Sequence, residues 1–155
     1  MWDMSKNLGY AFDDDKYNRL VLLFEPTFAT YIDRLVQEKS ALFAGDRHFI
    51  GFYLDNELPF ASYQNADPLR GIDLKHFLSL PERYKAAREY AEKFMRDNGI
   101  ASTGVITKKN QEDFRGMVAD YYYQLTTATV RRYDKEHLIL GTRLHDWSKY
   151  NQKVV

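Results

Sequence analysis

The 155-residue sequence contains no cysteine. A disulfide framework and a thiolate metal site are therefore excluded, and the compartment's redox state leaves no mark on it. Net charge is also missing, because 22 Lys and Arg balance 22 Asp and Glu. With no basic block either, nothing favours nucleic acid or an anionic membrane as a partner. No apolar run approaches the roughly 20 residues of a membrane span. The start Met1-Trp2-Asp3-Met4-Ser5-Lys6 lacks the basic region and apolar core of a signal peptide, so the chain as written is expected to stay in the cytoplasm.

What is abundant is apolar and aromatic. Hydrophobic residues make up 45% and aromatics 15%, with 12 tyrosines, enough for one domain with a real core. Many tyrosines suit a sugar-stacking surface, and they suit core packing equally.

Periodicity organises the chain into helices and two short strands. Leu20 to Phe24 is either a strand or a buried connector, which periodicity alone does not separate. Pro26 opens a helix to about 43, with Phe28, Tyr31, Ile32, Leu35, Val36 and Leu42 on one face. A strand follows from about His48 to Leu54, apolar on both faces as in a covered parallel sheet. Residues 58–80 form a long connection. A second helix runs from about Pro81 to Asp97 with Tyr84, Ala87, Ala91, Phe94 and Met95 inward, stopped by Asn98-Gly99. A third covers about 111–133, with Phe114, Met117, Val118, Tyr121, Leu125 and Ala128 inward. Asp134 to Glu136 is a turn, and His137 to Thr142 is a second buried strand. The polar tail from 143 begins another helix, and Asp13-Asp14-Asp15 is a solvated loop lacking the pattern of a Ca²⁺ site. Two apolar strands joined through helices predict a parallel crossover and an α/β fold.

In such folds ligands gather at the C-terminal ends of the strands. Those ends are Asp55-Asn56-Glu57 and Arg143-Leu144-His145-Asp146-Trp147. Glycoside hydrolysis needs one protonated carboxyl and one ionised carboxylate. Glu57, stopped against Pro59 and walled by apolar groups, suits the first role, because desolvation raises a carboxyl pKa. An ordinary polar turn after a strand has the same composition. His48 and His137 are expected to be structural, and His76 to lie in the long connection.

The segment FIGFYLDNELPF resembles the fourth-strand motif of clan A retaining glycoside hydrolases, where an Asn-Glu pair carries the acid/base. The stretches FEPTFATYIDRLVQEK and ADYYYQLTTATVRRYDKEHLILGTRLH resemble the flanking helices and fifth strand, so the resemblance covers about residues 20–147. It is greatest to family 50 β-agarases, with family 42 β-galactosidases more distant. The sequence departs at Phe60, where the agarases often carry Trp; an aromatic is kept, and the identity of the glycan is left open.

The resemblance implies a partial (β/α)8 TIM barrel running from the tip of strand three, near Met1-Trp2-Asp3, to strand five, with an insertion at about 58–110. Residues 1–155 would form one incomplete catalytic domain, since such a barrel takes about 250 residues. Glu57 is expected to be the general acid/base and Asn56 the contact to the sugar 2-hydroxyl. Asp55 would orient the loop. Phe60, Arg143, His145 and Trp147 would complete the substrate surface; core packing suits Phe60 and Trp147 equally, and a capping or surface role suits Arg143 and His145 equally. The nucleophile would lie outside the chain, leaving the chain alone inactive. No metal or cofactor is implied; the partners would be a galactose-containing polysaccharide and the remainder of the barrel, and the parent protein would be secreted or periplasmic. The alternative is a non-catalytic carbohydrate-binding or scaffold protein derived from such a barrel; a small helical interaction domain is a third reading.

Overall fold

The computed structural model describes residues 19–56, 58, 60 and 72–143. The Asp13–Asp15 cluster, the Met1-Trp2-Asp3 start and the tail from 144 lie outside them. Among the described residues the chain is mostly helical with a small parallel sheet, as expected of part of an α/β fold. They do not form a barrel, and no helix among them is long and apolar enough to cross a membrane.

The run from Leu20 to Phe24 is a buried connector. It winds as a 3₁₀ helix over Arg19–Phe24, and Leu20, Val21, Leu22 and Leu23 are all buried. Helix α1 follows at Pro26–Ala41, with Pro26 in its first turn, where the missing N–H costs nothing. It stops earlier than expected, so Leu42 caps the end and is exposed instead of facing the core.

The long connection conceals a short helix, α2, at Leu74–Leu78. Its start is chemically explicit: Asp73 Oδ1 accepts from the backbone N–H groups of Lys75 and His76, satisfying donors that the first turn leaves open. His76 sits within α2 and is buried. A 3₁₀ turn at Glu82–Tyr84 leads into α3, Lys85–Asp97. At its end Gly99 (φ 63°) donates to the Arg96 carbonyl and Ile100 to that of Met95. This paired pattern requires a left-handed residue, which glycine supplies without strain.

Helix α4 spans Lys108–Tyr133, starting three residues earlier than the periodicity predicts. The reason is a reciprocal cap: Thr107 Oγ1 accepts from the Asn110 N–H, and Asn110 Oδ1 accepts from the Thr107 N–H. Its inward face is also rotated. Phe114 and Val118 are buried as expected, but the later turns bury Tyr122, Thr126, Thr129 and Val130, while Tyr121 and Ala128 are exposed. Threonine reads as polar in a sequence, yet Thr126 and Thr129 each donate to the carbonyl four residues back (both 2.8 Å), which lets their methyl groups pack inward.

The four strand segments are β1 (Gly51–Phe52), β2 (Asp55–Asn56), β3 (Leu138–Ile139) and β4 (Thr142–Arg143). β1 pairs with β3 and β2 with β4, both parallel and at the same offset along the chain. They are one strand pair interrupted at Gly141, whose positive φ (74°) accompanies a carbonyl that accepts from Leu54 N at 2.7 Å. The sequence-predicted strands are thus present and adjacent. Their expected burial on both faces is corrected: Ile50 is 70% exposed, and Tyr53 and Leu138 57% each. Helices α1 and α4 pack against the strand pair, and these side chains stay largely exposed among the described residues.

Gly51 marks how closely the two strands approach. A Cβ there would lie 2.2 Å from the Leu138 carbonyl oxygen. Gly51→Ala must therefore displace backbone, and it is expected to cost about 1–3 kcal/mol by urea unfolding. Gly104→Ala meets only Ser102 Oγ at 3.8 Å and should change stability by less than about 0.5 kcal/mol.

The turn entering β3 is expected to respond to pH. Asp134 Oδ1 accepts from the Glu136 and His137 N–H groups, and Asp134 Oδ2 lies 2.7 Å from His137 Nδ1. That carboxylate raises the His137 pKa. Burial alone would raise Asp134, but bonds from His137 and Glu136 outweigh it and hold Asp134 below its usual value. The His137 contribution is complete below about pH 6.5 and lost as pH rises through its folded value; that of Asp134 is complete above about pH 3.9 and lost on acidification. Urea midpoints should therefore fall from mildly acidic to alkaline pH in the wild type, with that slope reduced in His137→Asn. Parallel slopes would refute the assignment.

Candidate active site at the strand ends

The parallel register brings together the two tips singled out by sequence. Asp55 lies opposite Thr142 and Asn56 opposite Arg143. Two stretches far apart in the chain therefore end side by side, with Arg143 exposed. The Asn56 backbone is placed by this pairing. Glu57, His145 and Trp147 lie outside the described residues.

Asp55 is half-buried and engaged. Tyr122 Oη donates to the Leu54 carbonyl at 3.3 Å and to Asp55 Oδ2 at 3.4 Å. Burial, and then the neighbouring Asp55 charge, push the Tyr122 phenol well above its ordinary pKa, so it stays a donor. Tyr123 is also raised, chiefly by burial. An Asp55 carboxylate that already accepts from a buried phenol suits an orienting role.

Phe60 is corrected. It is fully buried, 6.3 Å from the Tyr122 ring in an edge contact and 6.0 Å from the Tyr123 ring. In this structure it packs the core and presents no face for a sugar. Leu58 is buried as well, and the Phe60 N–H donates to the Leu58 carbonyl at 2.9 Å. His76 is confined to the core beside Phe77. Exposed His48 and half-buried His137 lie toward the opposite end of the strands.

Sequence reasoning missed Tyr122 and Tyr123. The available signal was the run Tyr121-Tyr122-Tyr123, which spreads phenols over about 200° of the helix circumference. A cavity of about 180 Å³ also lies between α1 and the strand, lined by Phe28, Tyr31, Ile32, Phe52, Leu54 and Tyr122 among others. Its lining is mainly apolar, so it is suited to packing and poorly suited to acid–base chemistry. Among the described residues no three His, Asp or Glu side chains converge as a metal site would require.

No protein-family model matches the sequence, and no curated protein matches it. A solved crystal structure does. BpGH50, a glycoside hydrolase family 50 structure, superposes on 99% of this chain with a TM-score of 0.73 and 26% identity. The chain spans 33% of the length of BpGH50. The likeness supports a family-50-like fold for these residues and relates the chain, at a coarse level, to glycoside hydrolases.

Proposed function

We propose that this chain is part of a retaining β-glycosidase that hydrolyses a galactose-containing polysaccharide, with Glu57 as its general acid/base. The observation that carries the reading is the side-by-side ending of two parallel strands at Asp55-Asn56 and Thr142-Arg143, in a chain that superposes almost entirely on BpGH50. The residue after Asn56 in the sequence is Glu57, so a carboxyl follows directly where an α/β fold gathers ligands.

In this mechanism Glu57 protonates the glycosidic oxygen as that bond breaks. A carboxylate outside the chain attacks the anomeric carbon and forms a glycosyl-enzyme. Glu57, now ionised, takes a proton from the water that releases the sugar. Asn56 binds the 2-hydroxyl, and Arg143, His145 and Trp147 line the substrate path. Asp55, held by Tyr122, orients the strand end. Residues 58–110 form an insertion within a single catalytic domain, and the uncovered apolar strand residues Ile50, Tyr53 and Leu138 are those that further barrel strands would bury.

The test supplies this chain together with the remaining barrel units and follows agar-type and galactoside oligosaccharides by NMR. The expected result is cleavage that retains the anomeric configuration, with none from the chain alone. Inversion, or no cleavage of any β-galactoside by the completed protein, would overturn the reading.

A further inference from the structure

Helix α4 lies behind the strand ends, and one of its residues touches the chain on both sides of the Asn56-Glu57 pair. Before the pair, the Tyr122 phenol donates to the Leu54 carbonyl and to Asp55 Oδ2. After it, the Tyr122 ring meets the edge of fully buried Phe60. Leu54 sits at the interruption between β1 and β2, where Gly141 takes a positive φ. At such a break the ladder is weakest, and a side-chain donor to a strand carbonyl compensates for it. Phenylalanine would fill the same space, so the hydroxyl is the informative part of the residue.

We propose that Tyr122 is a positioning residue: its hydroxyl fixes the strand end at Leu54-Asp55 while its ring supports Phe60, so that both flanks of the Asn56-Glu57 pair are held by one side chain. The proposal rests on the reading of Glu57 as the acid/base. Tyr122 touches no reacting atom; it acts through the chain it holds. Tyr123 provides the internal control. It also packs against Phe60, but it is the Tyr122 hydroxyl that donates to Leu54 and Asp55.

The experiment compares Tyr122→Phe and Tyr123→Phe with the wild-type chain by ¹³C NMR of side-chain carboxyls and by amide hydrogen exchange. Glu57 is assigned by the loss of its signal in Glu57→Gln. In Tyr122→Phe the Glu57 titration midpoint is expected to move by about 0.5 pH unit or more, with Asn56 and Leu58 amides exchanging roughly tenfold faster. Tyr123→Phe should leave both unchanged. A residue that merely packs would lower the melting temperature without either local change, and that result overturns the proposal. If Tyr122→Phe does not fold, Asp55→Ala removes the side-chain acceptor of the Tyr122 hydroxyl. It is judged by amide exchange alone, because it alters the local field itself. Unchanged exchange at Asn56 and Leu58 would then refute the proposal. These measurements need no turnover. A shifted Glu57 titration together with undiminished hydrolysis by a Glu57→Gln completed barrel would discard the acid/base reading and leave the positioning role standing.

Discussion

Glu57→Gln in a completed barrel is expected to lower kcat by roughly 10²–10⁴-fold, the usual worth of a positioned general acid. Glutamine keeps the size and one carbonyl oxygen but has no proton to donate near neutral pH, so binding should change little while bond cleavage slows. The chemistry also fixes how the loss depends on substrate. A galactoside with an activated aryl leaving group departs without protonation, so formation of the glycosyl-enzyme should be nearly normal. Its hydrolysis should then be slow, because the same carboxylate is needed to activate water. Pre-steady-state kinetics should show a burst followed by slow turnover, and azide, a nucleophile needing no general base, should restore the second step. Equal loss on activated and unactivated substrates, without a burst, would show that Glu57 is not the proton donor.

Phe114→Ala is expected to cost about 3–5 kcal/mol, from lost burial and the cavity left behind. Phe114 is fully buried on α4, and its ring makes edge contacts with Phe77 of α2 at 5.2 Å and Phe94 of α3 at 5.4 Å. Tyr90 of α3 stands tilted at 6.5 Å. One side chain therefore joins three helices, none of which can close the space without parting from another. A domain of this size has about 5–15 kcal/mol in total, so the variant should be largely unfolded near physiological temperature. Tyr90→Phe is the contrast. The Tyr90 phenol is pushed up to about 12, first by burial and then by Tyr121 and Asp120, and removing that hydroxyl should cost under about 1 kcal/mol. Thermal unfolding of both variants checks the pair; a loss below about 1 kcal/mol for Phe114→Ala would show that this aromatic junction is not part of the stability core.

The candidate site shows both sides of the sequence–structure relation. Asp55, Asn56 and Arg143 were legible as strand ends because an apolar run stopping in polar residues is a local pattern. That Asn56 and Arg143 face each other in register was not legible, since their pairing joins segments separated by three helices. Whether the aromatic after the motif would face a sugar or the core was not legible; Phe60 packs against two tyrosines of α4. Nothing within a few residues of Phe60 announces those partners.

By itself the sequence determined the entry of α1 at Pro26 and the exit of α3 at Asn98-Gly99, while the caps of α2 and α4 at Asp73 and Thr107, equally local, are not visible to hydrophobic periodicity. It also carried Gly51 and Gly141, where the backbone must pass close or turn left-handed. Only the tertiary structure decided which of Tyr121, Tyr122 and Tyr123 faces the strands, since three consecutive phenols are equivalent until α4 is docked. It likewise decided that Thr126 and Thr129 turn inward and that Ile50, Tyr53 and Leu138 stay uncovered. The physical reason is range. Capping and turn preferences are settled by hydrogen bonds between near neighbours, whereas helix rotation, strand register and burial depend on surfaces that meet only after the chain has folded.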